Sequence, residues 1–136
     1  MNRKEARKAY KESNKKFLIK LSQQEEVTTL DKRVLAKVIE SGGGRVHPTL
    51  SDVVSIHYRG MLVDGSEFDS SLGNAYPEVF RLRELVEGMQ IAIQRMVVGD
   101  KWSIYLPYDV GYGDKGVDNI PPFSTLIFEV ELLAIS

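Results

Sequence analysis

The chain has 136 residues, 43% hydrophobic and 27% charged, a length and balance that fit one compact domain around one core. With no cysteine and two histidines, His47 and His57, it excludes disulfides, zinc fingers, thiol nucleophiles and multi-histidine metal centres, and it leaves a serine triad two candidate bases. The net charge of −1 hides an asymmetry: residues 1–20 hold eight Lys or Arg against Glu5 and Glu12, net +6, while the other 116 carry ten basic and seventeen acidic residues, net −7.

In residues 3–21, Ala6, Tyr10, Phe17 and Leu21 recur at spacings of four and seven, which predicts a helix with one narrow apolar stripe that docks on the body or pairs with another chain. Its Lys and Glu residues read as a solvated face rather than a nucleic-acid contact. The segment is basic and polar, unlike a signal sequence, so the expected compartment is the cytoplasm, or the periplasm or exterior if a leader has been removed. No run of about 18 apolar residues predicts a membrane span. Residues 23–31 read as a linker, giving a basic amphipathic helix and linker over 1–31 and a body over 32–136.

Residues 33–40 place Val34, Ala36 and Val38 at period two and stop at Gly42-Gly43-Gly44, a first strand and an open turn. Residues 52–62 alternate Val54, Ile56 and Tyr58 against Ser55, His57 and Arg59, a half-buried strand. Asp64-Gly65 predicts a tight hairpin returning through residues 67–70, with Phe68 and Asp69 on opposite faces unless the strand is bulged. Leu85, Met89, Ala92, Ile93 and Met96 fit a helix within residues 83–96, ended by Gly99. Residues 101–107 read as a strand, 108–124 as a glycine-containing loop closed by Pro121-Pro122, and 125–135 as a final strand with Leu126, Phe128, Val130 and Leu132 on one face. The fold class is α+β, an antiparallel sheet packed on one helix.

The loop string Gly111-Tyr112-Gly113-Asp114-Lys115-Gly116 matches a dinucleotide-binding spacing, but the residues that follow cannot start a helix, and no nucleotide cofactor is expected. Asp64, Glu67 and Asp69 could serve acid–base chemistry or a cation, yet they read more simply as turn and strand surface. His57 reads as a surface histidine without a partner. Aromatic residues at inward positions stand out instead. The hydroxyls of Tyr58 and Tyr112 favour a lined cavity over a plain core.

The strings Val54-Ser55-Ile56-His57-Tyr58-Arg59-Gly60-Met61-Leu62, Asp64-Gly65-x-x-Phe68-Asp69-Ser70-Ser71, Met96-x-x-Gly99, Pro107-Tyr108-x-x-x-Tyr112-Gly113, Ile120-Pro121-Pro122 and Leu126-x-Phe128-x-Val130-Glu131-Leu132-Leu133 resemble the FKBP-type peptidyl-prolyl isomerases. Within them the chain is most similar to the bacterial macrophage-infectivity-potentiator type, whose members often carry N-terminal dimerising helices. The resemblance covers residues 32–136. It implies a curved antiparallel sheet wrapped around a short helix, with a cleft lined by Tyr58, Phe68, Asp69, Leu85, Val86, Tyr112, Ile120 and Phe128 and floored by Met89. Four departures stand out: Met89 where most members have Trp, Glu78 where an aromatic residue is sometimes found, and Val117 and Asn119 in the loop.

The activity so implied is cis–trans isomerisation of X-Pro bonds in peptides and unfolded proteins, with no cofactor, no metal and only weak binding of macrolide inhibitors. Amide rotation faces a barrier of ~18–20 kcal/mol and needs no covalent step, so a dry cleft that binds the twisted amide best would suffice. Tyr58, Phe68, Asp69, Tyr112 and Phe128 would form the catalytic wall, and Leu85, Val86, Met89 and Ile120 the substrate contacts. The rival expectation is a non-catalytic or weakly catalytic chaperone module for proline-containing segments, with a homodimer formed through the N-terminal helix.

Overall fold

The computed structural model describes residues 1–136. Helix α1 (Arg3–Ser22) begins at Asn2, whose side-chain oxygen accepts from the Glu5 N–H at 2.8 Å while its amide donates back to the Glu5 carboxylate at 2.8 Å. This reciprocal cap satisfies an N–H that the helix itself leaves unpaired. The apolar stripe docks on the chain's own body. Phe17 packs against Tyr105 with ring centres 6.3 Å apart, and Tyr10 shares a 2.9 Å hydrogen bond with Ser124. Asn14, buried in this seam, accepts the Thr125 N–H at 2.8 Å and donates to the Tyr10 carbonyl at 2.8 Å.

Seven antiparallel strands follow: β1 (Val27–Thr29), β2 (Leu35–Glu40), β3 (Val53–Met61), β4 (Glu67–Ser70), β5 (Glu78–Arg81), β6 (Lys101–Leu106) and β7 (Leu126–Ile135). They form one sheet in the order β1-β2-β6-β7-β3-β4, with β5 also paired to β3. The segment read as a linker therefore carries β1, which pairs Val27 with Lys37 and Thr29 with Leu35. Three residues of mixed polarity give no periodicity to read; their pairing with β2 makes the strand. β4 pairs with the Arg59–Met61 end of β3 and β5 with its Val53–Ile56 end, so the two share one edge, split by the excursion of residues 71–77. β5 was not anticipated.

Along β6 and β7, Ile104, Leu106, Leu126, Val130 and Leu132 are fully buried, as their alternation predicts. On β2 the alternation fails, because Leu35 and Ala36 are both buried, as is Val34 just before the strand, while Val38 is half exposed. There the strand leaves the core beside an irregularity between Val38 and Glu40. The body's helix is shorter than expected. A 3-10 turn (Leu82–Glu84) leads into α2 (Glu87–Ile93), and Met96 is buried in the turns beyond it. α2 packs against the sheet at β6, and a core cluster of 19 buried residues joins the two. Each fully buried aliphatic side chain there contributes about 1.5–3 kcal/mol.

Candidate functional site

The cleft is built around a defect in the β3–β4 pairing. Gly60 opposes Asp69 and Met61 opposes Glu67, so Phe68 is the extra residue of a bulge. Regular alternation would send Phe68 and Asp69 to opposite faces; the bulge brings both to the cleft. Gly65, at φ +88°, makes the Asp64-Gly65 hairpin that returns β4 to this register. Asp64 supports the turn by accepting from the N–H and hydroxyl of Ser66, bonds that hold its carboxyl below the usual range.

Aromatic rings form the walls. Phe68 meets Phe128 edge-to-face with centres 5.6 Å apart, and Tyr58 lies 6.1 Å from Phe80 and 6.5 Å from Phe128. Met89 on α2, buried, closes the bottom, and Leu85 and Val86 come from the turn before α2. The Gln90 side chain holds that turn by donating to the Leu85 carbonyl at 2.7 Å and the Arg83 carbonyl at 3.1 Å. Tyr112 reaches in from the 108–124 loop. The hollow encloses about 310 Å³, and nine of its eleven lining residues are hydrophobic. Larger hollows of about 670 and 460 Å³ lie along α1, but only one of six lining residues in the first and four of thirteen in the second are hydrophobic.

Tyr58 is fixed at both ends. Its hydroxyl donates to Asp69 at 2.7 Å. Its backbone N–H donates to the Ser71 hydroxyl at 2.8 Å, and its carbonyl accepts the Ser71 N–H at 2.9 Å. Ser71 is fully buried, and its hydroxyl also lies 3.2 Å from His57 Nδ1. His57 thus belongs to the scaffold behind Tyr58 and not to the cleft. Burial, then the hydrogen bond and charge of Asp69, raise the Tyr58 hydroxyl well above its usual range and keep it protonated.

Eight of the nine residues expected at the site line this cleft: Tyr58, Phe68, Asp69, Leu85, Val86, Met89, Tyr112 and Phe128. Ile120 does not. It is buried in the core cluster, with its backbone bridged to Val117 at the base of the loop. Ile56, Phe80 and Glu84 also line the cleft, although the sequence reading missed them. Ile56 shares the inward face of β3 with Tyr58, which the period-two pattern already contained; Phe80 needed β5. No group of three or more His, Asp or Glu residues is placed to hold a metal ion. The carboxylates near the hairpin are separately engaged, Glu67 with Arg59 at 2.8 Å and Asp69 with Tyr58. The glycines of the 108–124 loop follow a single 3-10 turn (Tyr108–Val110), and no helix comes after them to receive a phosphate.

The family model described as FKBP-type peptidyl-prolyl cis-trans isomerase matches residues 44–133. The chain is 40% identical over 121 residues to the FKBP-type 22 kDa peptidyl-prolyl cis-trans isomerase of Escherichia coli K12, covering 88% of this chain and 58% of that protein. It is 38% identical over 120 residues to the macrophage infectivity potentiator of Trypanosoma cruzi, covering 88% of this chain and 61% of that one. The chain thus spans about three fifths of the length of these relatives. A crystal structure of a peptidyl-prolyl cis-trans isomerase from Pseudomonas syringae superposes with a TM-score of 0.88 at 33% identity, over 95% of both chains.

Proposed function

The chain belongs to the FKBP-type peptidyl-prolyl cis-trans isomerase family, of the macrophage-infectivity-potentiator type, and on that premise we propose that its cleft accelerates rotation about X-Pro bonds in peptides and unfolded proteins. One observation carries this reading: aromatic walls close over the buried Met89 thioether in a hollow of about 310 Å³, large enough for a proline ring and its flanking amide.

The chemistry required is binding, with no bond made or broken to the substrate. Twisting an X-Pro amide removes its resonance and leaves a less polar carbonyl, which a dry cleft favours over either planar form. In this reading the ring rests on Met89 between Tyr58, Phe68 and Phe128. Two donors remain to orient the substrate's carbonyls: the Tyr112 hydroxyl makes no hydrogen bond within the chain, and neither does the Val86 N–H at the start of α2. Asp69 anchors Tyr58 and transfers no proton. Macrolide inhibitors would enter the same cleft, weakly, because a flexible thioether replaces a flat indole beneath them. A homodimer through α1 would have to use the outer face of that helix, since its apolar stripe is spent on Tyr105, Ser124 and Thr125.

A protease-coupled measurement of cis-to-trans conversion in a short X-Pro peptide tests the proposal. The expected result is a rate above background that rises in proportion to protein concentration. A background rate accompanied by suppressed aggregation of an unfolded client would replace isomerisation with passive binding.

A further inference from the structure

We propose that the cleft selects proline segments carrying a lysine or arginine within one residue of the proline; the inference rests on the isomerase reading of the same cleft and names its preferred substrates. The apolar walls define where the chain of a substrate lies, and the charged residues around them decide which chains enter. Of the eleven lining residues the two that carry charge are Asp69 and Glu84, and none is basic. A third carboxylate, Glu78 on β5, is close enough that its charge, with that of Asp69, helps to hold the Tyr58 hydroxyl protonated.

None of the three has a cationic partner in the chain. Asp69 accepts from the Tyr58 hydroxyl and the Ser70 N–H, Glu78 accepts from the Asn74 amide at 3.1 Å, and the exposed Glu84 makes no ion pair. Neutral donors satisfy lone pairs but leave the negative charge in place. The neighbouring cations are turned elsewhere: Arg59 pairs with Glu67, Lys32 with Glu87, and Arg81 donates to the Ser51 carbonyl. Arg83, beside Glu84 in the chain, is exposed and outside the lining.

Low-dielectric walls below a ring of one sign concentrate its field at the mouth. The net −7 of residues 21–136 adds to it. A Lys or Arg beside the proline could lay its aliphatic stem along Phe80 and Leu85 and set its charged end among the carboxylates. An Asp or Glu at the same place meets the like charges of Asp69, Glu78 and Glu84. The attraction acts through solvent, so it is a matter of several-fold selectivity that salt removes.

The test uses three N-acetylated tetrapeptides that differ only in Lys, Gln or Glu before the proline, assayed for isomerisation with the full chain. At low ionic strength kcat/KM for the Lys peptide should exceed that for the Glu peptide about fivefold, with Gln between, and the gap should close to under about twofold in 1 M salt. Glu84→Gln and Glu78→Gln should each narrow the Lys-to-Glu ratio. Equal rates for Lys and Glu peptides, or a preference indifferent to salt and to both substitutions, would overturn the charge selectivity while leaving isomerisation intact. If no peptide turns over, the isomerase reading fails instead. The same three peptides titrated against the chain by NMR then give the ranking of affinities, and Lys no tighter than Glu overturns the selectivity by itself.

Discussion

The Tyr58 hydroxyl donates to the Asp69 carboxylate at 2.7 Å, linking the inward face of β3 to the bulged strand β4 beside it. The bond holds an aromatic wall and a carboxylate in one geometry, and it depends on the phenol staying protonated. Because burial and Asp69 raise the folded-state value above the ordinary 10.0, the stabilisation is complete below pH 10 and is lost as pH climbs through the raised value. Tyr58→Phe should therefore remove a late-ionising phenol from a spectrophotometric titration, and its melting temperature should fall less steeply above pH 10 than that of the unmodified chain. Turnover should drop about 3–10-fold, the scale of one charge-assisted hydrogen bond discounted for exposure.

Gly60 faces the cleft from β3 where no side chain fits. A Cβ there would lie 2.6 Å from Phe68 Cζ and 3.0 Å from Phe128 Cε1, pushing apart the edge-to-face pair that walls the cleft. Gly60→Ala should cost about 1–3 kcal/mol by overpacking, or roughly 3–5 °C of melting temperature per kcal/mol, and should lower peptide turnover more than its stability loss accounts for. Unchanged turnover in a folded Gly60→Ala protein would show that the Phe68–Phe128 wall does not touch substrate.

The strands whose side chains alternate were legible because one face of each is buried: β3, β6 and β7 follow the inward pattern of Val54, Ile104 and Val130. β1 and β5 were not. Their short runs, Val27–Thr29 and Glu78–Arg81, exist because β2 and β3 offer open edges, and a partner strand is invisible to local periodicity. Most of the cleft could be placed by likeness of its strings, yet Phe80 and Glu84 came into view only with β5 and the turn after it. The bulge at Phe68 was anticipated only as a condition, since bulges are set by pairing register. Ile120, at a matched position, packs in the core cluster that also holds Met89 and Phe128, outside the residues that line the hollow.

Ser71 and His57 separate support from chemistry. Ser71→Ala would leave the Tyr58 N–H without its buried acceptor, a loss of about 1–3 kcal/mol, and should loosen Tyr58 enough to reduce turnover. His57→Ala removes one 3.2 Å contact from the outer side of the same serine and should leave turnover nearly intact. A large loss of activity in His57→Ala at normal melting temperature would restore an acid–base role to the imidazole.

Helix α1 should matter to stability and not to chemistry, because no residue of it lines the aromatic cleft. Its Asn14 side chain is the acceptor for the buried Thr125 N–H, one residue before β7 begins. Asn14→Ala should cost about 1–3 kcal/mol by leaving that donor unpaired, with kcat/KM unchanged at temperatures where the protein stays folded. A deletion of residues 1–30 also strips β1 from the sheet edge, so it should lower the melting temperature further. A tenfold fall in turnover with the fold retained, worth ~1.4 kcal/mol, would place part of the active surface on the helix.

Met89 gives the sharpest test of the floor. It is 3% exposed on α2, beneath the Tyr58, Phe68 and Phe128 walls, and a flexible thioether presents a softer and smaller platform than the indole that the family resemblance implies for this position. Replacing it by Trp sets two effects against each other. An indole adds apolar contact to a bound macrolide, and at ~25 cal/mol per Å² a gain of about 40 Å² gives about 1 kcal/mol, roughly fivefold in affinity. Overpacking a buried position costs about 1–3 kcal/mol if the ring cannot extend into the hollow. The cleft's volume of about 310 Å³ gives the ring a direction in which to extend, upward into the site, so the gain should prevail. Met89→Trp is expected to bind macrolide about fivefold more tightly by calorimetry with little change in melting temperature. Unchanged or weaker binding at normal melting temperature would mean that ligands rest on the ring walls and not on Met89.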